Sequence, residues 1–395
     1  MKASQVEGKP ASVMDRRLRI AIDAASLQKP KTGIGEYTAN MIRALGRLQD
    51  PELVLFYNSF RRRRPDSLID GLDEARFRTA TLRIPARLVS LAWQVIPLPP
   101  ADWVTGPVDI FHSPNYRIVP VRHAKLVVTV HDLVVLKYPE YQFFTRVKHI
   151  GGWLRKLNRA DAVVAVSENT RKDILELLDV PPEKVHTVYN GYNADLFRSD
   201  LSPEYVEGVL RRYHLGTPYI LSLGTLEPRK NLVRLIQAFH LLRKKSPDPI
   251  YLVLAGAMGW KYDIIFNEIR RLGLHDSVSY LGYAPDEDLP GLIKGARALA
   301  YPSLYEGFGI PPLEAMAVGT PVITSNAASL PEVVGEAGLQ VDPEDVGAIA
   351  AALERVCGDD ALAEDMRAKG LKRAQQFSWD RAARQVMEIY HKLLA

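Results

Sequence analysis

The sequence predicts an α/β protein that consists of two doubly wound parallel-sheet domains facing each other across a cleft. The chain has 395 residues, which is too long for one compact core and suits two domains of ordinary size. Short aliphatic runs alternate with longer runs of helical period in both halves of the chain. Strands separated by helices form parallel sheets from βαβ units, and ligands bind such sheets at the carboxyl ends of the strands. The residues that follow the predicted strands are therefore the candidates for chemistry.

The first half of the chain carries five predicted strands. They are residues 18–23, 53–57, 109–112, 125–130 and 161–166. A turn with two glycines at residues 32–35 follows the first strand. A helix is predicted over residues 36–48, because Ile42, Leu45 and Leu48 recur at helical spacing. Ser167 follows the last of these strands and is predicted to cap a helix.

The second half repeats the pattern after a polar, helical stretch at residues 195–216, which we take as the hinge. Its predicted strands are residues 219–223, 251–255, 278–281, 298–301 and 321–324, with a helix over residues 231–244. A last helix is predicted to start after Ser378, its N-cap, and to run to residue 394. These elements place an N-terminal domain at residues 16–200, a C-terminal domain at residues 205–376 and a terminal helix within residues 377–395.

Composition excludes several classes of protein. Apolar residues make up 47% and charged residues 25% of the chain, which is typical of a folded globular protein. Cys357 is the single cysteine, so no intrachain disulfide or thiolate metal cluster can form, which fits a reducing compartment. Residues 1–19 lack the apolar core of a secretory signal, and the longest apolar run, residues 124–136, is interrupted by His131 and Asp132. We therefore expect a cytoplasmic protein without a membrane-spanning helix.

Charge is unevenly distributed along the chain. Residues 1–200 contain 30 basic and 22 acidic side chains, a net +8, whereas residues 201–395 contain 21 and 24, a net −3. Four consecutive arginines at residues 61–64 and a basic group between residues 148 and 159 contribute to the excess. This excess is either a solvated surface or one that meets a lipid-linked phosphate acceptor or an anionic membrane. The sequence has no zinc-finger spacing, aromatic RNA-binding motif or helix-turn-helix signal, so nucleic acid is not expected as a partner.

The segment at residues 305–314 carries the strongest chemical signal. Its Gly307 and Gly309 allow a backbone to approach a ligand closely, and Pro312 suits the first turn of a helix whose N-terminus favours a bound anion. Glu306 lies on the loop before this helix and Glu314 lies one turn into it. The two carboxylates can therefore accept hydrogen bonds from the hydroxyl groups of one ligand. The alternative is that Glu314 only complements the helix dipole and that Glu306 is solvated.

This segment resembles the E-x7-E signature of the retaining glycosyltransferases of family four, which have the two-domain GT-B architecture. The resemblance extends from about residue 17 to the C-terminus and favours the mannosyltransferases. It implies two Rossmann-like domains and a terminal helix that crosses back to the first of them. It also implies transfer of a hexose, with mannose favoured, from a nucleotide diphosphate sugar to a glycan or lipid-linked acceptor, with retention of configuration.

A second motif, residues 224–231, follows a predicted strand and opens a helix. Arg229 offers a planar fork and Lys230 a point charge, and both can reach a diphosphate. The resemblance implies that this pair and the loop at Gly224 hold the donor phosphates and offset the charge of the leaving group. The arginine of the family often follows the glycine directly, where this chain has Thr225. Arg229 either takes over that role or faces solvent.

Two further sites are expected at strand ends in the first half. The backbone amides around Gly33 and Gly35 follow the first strand, and the resemblance implies that they approach the donor phosphates or the transferred sugar. His131 ends the strongest strand and Asp132 is expected to orient it. The resemblance implies that His131 contacts the donor sugar near its anomeric centre, whereas a lone histidine is more often structural.

Other residues after strands are weaker candidates. The resemblance places Gly256 near the nucleotide. Tyr305 and Phe308 pack either near the donor base or in the core. Asn115 and Tyr116 are candidates for contact with the acceptor, with turn residues as the alternative.

The expected ligands are a nucleotide diphosphate sugar, with GDP-mannose ahead of UDP-glucose, and a glycan or lipid-linked acceptor. We expect no cofactor and no obligatory metal, because cations already occupy the phosphate site and no Asp-x-Asp pair is expected to bind a metal.

Three other classes of protein are compatible with parts of this pattern. A Rossmann oxidoreductase requires a third glycine after Gly33 and Gly35, but residue 38 is a threonine. An epimerase or phosphorylase that uses sugar nucleotides is not expected to combine both motifs. A non-catalytic protein that binds sugar nucleotides is disfavoured because the charged positions are intact.

Overall fold

The computed structural model describes residues 17–28, 33–48, 50–58, 77–141, 144–216, 218–245 and 249–395. In these ranges the strands form one sheet of seven and one of six, and the registered strand pairs are parallel. The predicted class of two doubly wound α/β sheets is therefore confirmed. The run of four arginines at residues 61–64 lies outside the described residues.

The seven-stranded sheet has the order β3-β2-β1-β4-β5-β6-β7. Its strands are β1 (Arg19–Asp23), β2 (Glu52–Asn58), β3 (Phe77–Leu82), β4 (Ile110–Ser113), β5 (Lys125–Val130), β6 (Ala162–Ala165) and β7 (Val185–Thr187). Strands β4 and β6 are buried at every residue, and β5 is buried at all residues except Lys125. Helices cover both faces of such a sheet, which explains the continuous aliphatic runs in the sequence.

The helices that accompany this sheet are α1 (Gly33–Arg47), α2 (Ala86–Val95), α3 (Asp102–Thr105), α4 (Val134–Lys137), α5 (Phe144–Leu154) and α6 (Glu168–Leu177). The next helix in the chain, α7 (Pro203–Arg212), packs instead against the helix at Leu289–Lys294, beside the six-stranded sheet. Short 3-10 turns lie at Ala25–Gln28, Pro139–Tyr141, Leu157–Arg159 and Pro182–Lys184. Ser167 caps α6 as predicted, because its hydroxyl accepts a hydrogen bond of 2.9 Å from the amide of Thr170.

The six-stranded sheet has the order β10-β9-β8-β11-β12-β13. Its strands are β8 (Tyr219–Leu223), β9 (Tyr251–Ala255), β10 (Val278–Gly282), β11 (Ala298–Tyr301), β12 (Val322–Ser325) and β13 (Gly338–Val341). The remaining helices are α8 (Leu232–Lys245), α9 (Asp263–Arg271), α10 (Leu289–Lys294), α11 (Ile310–Val318), α12 (Leu330–Val334), α13 (Val346–Gly358), α14 (Asp360–Ala374) and α15 (Trp379–Leu394), with 3-10 turns at Pro228–Lys230 and Gly335–Ala337. Ser378 caps α15 as predicted and accepts a hydrogen bond of 3.2 Å from the amide of Arg381.

The chain divides into two compact units. The first comprises residues 1–114, 119–127 and 394, and the second comprises residues 115–118, 128–393 and 395. The second unit therefore contains the whole six-stranded sheet together with β6, β7 and α6. The boundary predicted between residues 200 and 205 stays a prediction. Across the described ranges, no helix combines the length and the apolar composition that a bilayer crossing requires.

Several elements differ from the sequence-based expectation. Helix α1 begins at Gly33, so Gly33 and Gly35 lie in its first turn and not in a preceding loop. The hinge segment is helical only over Pro203–Arg212. Strands β3, β7 and β13 were not predicted: β3 is polar and largely exposed, β7 has three residues, and β13 has no fully buried residue.

Candidate active site

The turn between β8 and α8 positions the two predicted cations. A 3-10 turn at Pro228–Lys230 follows β8, and Asn231 ends it in the left-handed conformation with φ of 59°. The side-chain amide of Asn231 donates to the carbonyl oxygens of Pro302 and Pro343, at 3.0 and 2.6 Å. Asparagine tolerates this backbone conformation better than most residues do, and its two hydrogen bonds fix the turn against neighbouring loops.

The side chain of Lys230 is only 11% exposed at this turn, and two atoms of the described residues accept hydrogen bonds from its ammonium group. It donates to the hydroxyl of Tyr301 and, at 2.7 Å, to Oε1 of Glu306. A Cβ atom at Gly224 would lie 3.1 Å from Cε of Lys230, and Gly224 also has a φ of 125°, so a side chain there would be strained. An ammonium group has three N–H donors, and the described residues accept hydrogen bonds from Lys230 at these two atoms, which leaves one donor.

Arg229 is held on three sides. Its Nη2 lies 2.6 Å from Oε1 of Glu227, and its Nη1 lies 2.7 Å from Oε2 of Glu306 and 2.7 Å from the carbonyl oxygen of Tyr305. The predicted alternative that Arg229 faces solvent is therefore wrong, because its side chain is only 15% exposed. Thr225, which stands where the family often has arginine, is exposed.

Glu306 is the shared partner of both cations and is itself buried, so the expectation of a solvated Glu306 is also wrong. Burial acts to raise the pKa of Glu306, but the charges of Arg229 and Lys230 outweigh burial and lower the pKa to about 2. Burial lowers the pKa of Lys230, and the charge of Glu306 opposes that shift. The carboxylate therefore keeps Lys230 charged in a place that disfavours charge.

We call Glu227, Arg229, Lys230, Tyr301 and Glu306 the Glu306 cluster. Its two carboxylates balance its two cations, so the cluster is neutral before a ligand binds. Tyr301 accepts from Lys230 and also hydrogen-bonds Glu306, and burial followed by the charge of Glu306 raises its pKa. Such a cluster can offer an N–H donor and a fixed positive charge to a bound anion.

The loop at residues 306–309 is clamped between other parts of the second unit. The hydroxyl of Ser329 donates to the carbonyl oxygens of Glu306 and Phe308, at 2.9 and 2.7 Å. A Cβ atom at Gly307 would lie 1.7 Å from the carbonyl oxygen of His131, so only glycine fits this approach. The structure thus brings His131 and the loop of Glu306 together, although they are far apart in sequence.

Helix α11 begins at Ile310 after Gly309, and Glu314 lies one turn into it, half-buried, as predicted. Pro311 and Pro312 lack N–H groups, so Ile310 supplies the one amide donor among the first three residues of the helix. The start of α11 is consequently a weaker anion site than the sequence suggested.

His131 and Asp132 follow β5 and are half-buried. The carbonyl oxygen of His131 accepts a long hydrogen bond of 3.5 Å from the hydroxyl of Thr170. Oδ1 of Asp132 accepts a hydrogen bond of 3.1 Å from the amide of Val134, the first residue of the short helix α4. This contact gives Asp132 a local structural task beside its predicted one of orienting His131.

Tyr305 and Phe308 are both buried, with exposed fractions of 2% and 4%. The hydroxyl of Tyr305 donates to Oδ2 of Asp173 at 2.7 Å and accepts from the amide of Leu133 at 3.2 Å. The ring of Phe308 packs with those of Tyr189 and Phe377, with centroids 6.1 and 5.8 Å away. These contacts favour the predicted alternative, core packing, over contact with the donor base.

The remaining candidates are placed as follows. The amide of Gly256 donates to Gly282 at 2.7 Å, and its carbonyl oxygen accepts from Tyr280 at 2.9 Å. Asn115 and Tyr116 are half-buried, and Oδ1 of Asn115 accepts from the amide of Tyr116 at 2.7 Å. Their predicted contacts with nucleotide and acceptor stay predictions, as do those of Gly33 and Gly35 in the first unit.

Sequence reasoning assigned no role to four residues that shape the site. Glu227 and Tyr301 belong to the Glu306 cluster, and Asp173 anchors Tyr305. Glu332 accepts hydrogen bonds from the amides of Glu168 and Asn169, at 2.8 and 2.9 Å, and so caps α6 from a distant helix. Glu227 and Tyr301 could have been found, because the first lies in the lysine motif and the second ends a strand.

A metal site was also sought. Among the described residues, no group of three or more histidine, cysteine, aspartate or glutamate side chains is arranged to hold a metal ion. The sequence does contain one Asp-x-Asp pair, at residues 286–288, contrary to expectation. Its Asp288 is buried, pairs with Arg212 and accepts from the hydroxyl of Tyr213 at 2.8 Å.

Comparison with known proteins identifies the family of the chain. Residues 31–196 match the family described as Glycosyltransferase Family 4, and residues 213–373 match the family described as Glycosyl transferases group 1. O-antigen chain mannosyltransferase B of Escherichia coli is 35% identical over 393 residues, which cover 95% of this chain and 100% of that protein. The serotype-specific mannosyltransferase WbdA of Escherichia coli is 31% identical over 301 residues, covering 72% of this chain but only 36% of that longer protein.

A solved structure supports the fold. The crystal structure of HepE from Anabaena, in complex with UDP and glucose, superposes with a TM-score of 0.71 at 19% identity. The match covers 95% of this chain and 100% of that chain. The two family matches, the mannosyltransferase relatives and the GT-B fold define an enzyme of the glycosyltransferase class. Within that class, the chain belongs to glycosyltransferase family 4 and resembles its mannosyltransferases.

Proposed function

We propose that this glycosyltransferase transfers mannose from GDP-mannose to a glycan or lipid-linked acceptor in the synthesis of a polysaccharide, with retention of configuration. The Escherichia coli relative that matches over its full length is named as an O-antigen chain mannosyltransferase, which supports mannose. UDP-glucose is the second candidate donor, because the HepE structure contains UDP and glucose.

The observation that carries the proposal is the third N–H donor of Lys230, for which the described residues provide no hydrogen-bond acceptor. We infer that this donor binds an oxygen of the donor diphosphate. When the bond between the anomeric carbon and the phosphate oxygen breaks, negative charge accumulates on that oxygen. A preorganised, buried cation stabilises this charge more strongly than water does.

Glu306 acts in this proposal by supporting charge and not as a nucleophile. Both of its oxygens are engaged, each 2.7 Å from a cationic nitrogen, and its pKa of about 2 makes it a weak base. This favours attack by the acceptor hydroxyl on the face from which the nucleotide leaves, with the hydroxyl proton passing to the departing phosphate oxygen. A covalent intermediate on Glu306 is disfavoured for the same reason.

The other residues of the loop keep their predicted roles as part of the proposal. Glu314 would accept hydrogen bonds from hydroxyl groups of the donor, and Gly307 and Gly309 would allow its close approach. His131 would contact the transferred sugar, which is consistent with the contact between its backbone and Gly307. Asn115 and Tyr116 would contact the acceptor.

We also infer that the protein acts on the cytoplasmic side of a membrane, with peripheral contact to an anionic bilayer that carries the acceptor. The excess of basic residues in the first half and the single, half-buried Cys357 support this inference.

A donor screen tests the proposed activity. Released nucleoside diphosphate is measured for a panel of sugar nucleotides with the intact protein and with Glu306→Ala, Lys230→Ala and Lys294→Ala. Lys294 is a matched control, because burial lowers its pKa as well but its ammonium group binds the carbonyl oxygen of Val318 at 2.8 Å, outside the cluster.

We expect slow hydrolysis of GDP-mannose that falls by about a hundredfold or more in the two cluster variants and persists in Lys294→Ala. Proton NMR of the glycosylated product reports its anomeric configuration and tests retention. Binding of a donor by calorimetry, with no turnover in the presence of any acceptor extract, would contradict the proposal.

A further inference from the structure

The first compact unit carries an exposed apolar surface that the transferase reaction does not explain. Six large apolar side chains between residues 88 and 103 are exposed by 52% to 76% of their areas. They are Leu88, Leu91, Val95, Ile96, Leu98 and Trp103. Single exposed apolar residues are ordinary, but a group of this density marks a site of interaction. We call these six residues the apolar surface.

Helix α2 supplies three of them from a face that is distinct from its core face. Val89 and Trp93 point inward and are buried, and the ring of Trp93 stacks on that of Phe56 with centroids 6.3 Å apart. Leu88, Leu91 and Val95 recur at spacings of three and four residues, so they share the opposite side of the helix. Helix α2 therefore contacts the core through Val89 and Trp93, and its exposed apolar face is not needed for that contact.

Hydrogen bonds hold the segment after α2 in place, so the apolar side chains of this segment have defined positions. The indole N–H of Trp93 donates to the carbonyl oxygen of Pro99 at 3.0 Å, and the amide of Ala101 donates to Pro120 at 2.8 Å. Asp102 accepts from the amides of Arg122 and His123, at 2.7 and 2.9 Å. These bonds hold Trp103 beside Arg122.

The charges around the apolar surface are predominantly positive. Residues 83–123 contain four arginines and two aspartates. Both aspartates are engaged by backbone amides, Asp102 as described and Asp109 by the amide of Arg19 at 2.8 Å. Arg83 and Arg122 are exposed. The surface thus combines aliphatic side chains, an exposed tryptophan and arginines, the combination that favours the interface of an anionic bilayer.

We propose that the apolar surface inserts into the headgroup region of an anionic lipid bilayer, with Arg83 and Arg122 contacting lipid phosphates. A second copy of the chain is a weaker occupant, because a two-fold contact would bring the same arginines of both copies together. The proposal extends the inferred membrane contact to a defined surface. It is tested without donor or acceptor, so its failure and a failure of the proposed reaction are distinguishable.

The experiment measures binding of the full chain to vesicles of phosphatidylcholine with and without 30% phosphatidylglycerol (about one anionic lipid in three), at low and high salt. Trp103 provides an internal probe: it is 61% exposed, whereas Trp93, Trp153 and Trp379 are buried. Insertion should shift tryptophan emission to shorter wavelength and allow quenching by brominated acyl chains. Trp103→Phe should abolish most of the shift while binding remains.

Two variants test the two components of the surface. Leu91→Ser/Val95→Ser should lower the vesicle partition coefficient by about tenfold or more, because it removes apolar area that insertion would bury. Ile264→Ser on α9 is the matched control, since Ile264 is a similarly exposed aliphatic residue elsewhere, and it should leave partitioning unchanged. Arg83→Gln/Arg122→Gln should lower partitioning by about tenfold at low salt and by much less at high salt.

Equal binding to neutral and anionic vesicles, or an unchanged partition coefficient in Leu91→Ser/Val95→Ser, would overturn the proposal. So would a dimer in sedimentation equilibrium that Leu91→Ser/Val95→Ser converts to monomer, because the occupant would then be a second copy. The midpoint of thermal unfolding should be the same in all these variants, which shows that they fold.

Discussion

Two consecutive residues, Tyr305 and Glu306, belong to two buried polar clusters that differ in one respect. The Tyr305 cluster comprises Leu133, Lys137, Asn169, Asp173 and Tyr305. Its centre is the fully buried Asp173, which pairs with Lys137 through Oδ1 and accepts from Tyr305 and from Asn169 through Oδ2, at 2.7 and 3.1 Å. It is an anion surrounded by donors. Lys137 also has N–H donors beyond Asp173, but its side chain is 36% exposed, so water can accept from them. In the Glu306 cluster, by contrast, the third N–H donor of Lys230 belongs to a side chain that is only 11% exposed.

The comparison distinguishes a buried polar cluster that only stabilises the fold from one that can also bind a ligand. A buried polar group costs free energy unless it is paired, so a cluster in which every buried group is paired stabilises local structure and leaves no desolvated donor for a ligand. A buried cation with a spare donor is tolerable when carboxylates compensate its charge, and it is then ready for an anion. The predictions below test this distinction, from the largest expected effect to the smallest.

Matched amide substitutions in the two clusters should have opposite consequences. Glu306→Gln keeps the shape of the side chain but removes the charge that keeps Lys230 protonated, so kcat/KM should fall by about a hundredfold or more. Asp173→Asn should lower the free energy of unfolding by about 1–3 kcal/mol, through weaker hydrogen bonds to Lys137 and Tyr305, and should change kcat/KM by less than about threefold. Steady-state kinetics and urea unfolding measure the two effects. An equal loss of kcat/KM in both variants, each at least nine-tenths folded, would remove the distinction.

Gly307 follows Tyr305 and Glu306 in the chain, so its substitution should disturb the loop that carries one residue of each cluster. Gly307→Ala would place a Cβ atom 1.7 Å from the carbonyl oxygen of His131, which is backbone and cannot rotate away. We expect a loss of about 3 kcal/mol in the free energy of unfolding, as for other overpacked sites. Gly208→Ala within α7 is the control, because a Cβ atom there has no neighbour within 4 Å, and it should stabilise by about 0.5–1 kcal/mol. A Gly307→Ala variant as stable as the parent would show that the approach of His131 is not needed.

The pH dependence of activity should report Lys230. Burial lowers its pKa in the free enzyme, so the alkaline limb of kcat/KM should lie below the usual lysine value of about 10.4. The sign for stability is opposite: the unfolded chain holds the proton more tightly, so deprotonation of Lys230 favours the folded state as pH rises. Activity should therefore be lost in this range without unfolding caused by Lys230.

Two variants test whether deprotonation of Lys230 causes the alkaline fall in kcat/KM. Lys230→Arg should move it to higher pH, because arginine does not deprotonate in this range, whereas Lys294→Arg should leave it in place. A limb that stays where it is in Lys230→Arg would mean that another group controls it.

The site shows where prediction from sequence succeeds and where it stops. Arg229, Lys230 and Glu306 were predicted because charged residues after strands are suited to bind anions and hydroxyl groups. Their mutual pairing was not predicted, because it requires β8 and β11 to be neighbours in the sheet, and strand order is not encoded in local pattern. Lys230 and Glu306, which are in contact, are 76 positions apart in the chain.

Prediction of the fold from the sequence succeeded and failed for the same reasons. Strands such as β5 were predicted because burial on both faces produces an uninterrupted aliphatic run. Strand β3 was missed because Arg78, Thr79 and Thr81 are exposed at its position beside β2 on the edge of the sheet. Capping by Glu332 was also missed, because the helix that it caps is 163 residues away. Local patterns report burial and helix ends, while contacts between distant elements depend on the assembled fold.

The smallest expected effect concerns that distant cap. Glu332 accepts from the first amides of α6, the helix that carries Asp173, and it also hydrogen-bonds Tyr189, whose pKa is raised to about 12 by burial and then by this carboxylate. Glu332→Gln should lower the free energy of unfolding by about 1 kcal/mol, since a charged acceptor at a helix N-terminus is replaced by a neutral one. Glu336→Gln, an exposed neighbour, should have no measurable effect. If α6 holds Asp173 in place, hydrogen exchange of the Tyr305 cluster should quicken in Glu332→Gln while kcat/KM stays within about twofold. Faster exchange accompanied by a large loss of activity would mean that the two clusters are coupled and that the paired one also serves catalysis.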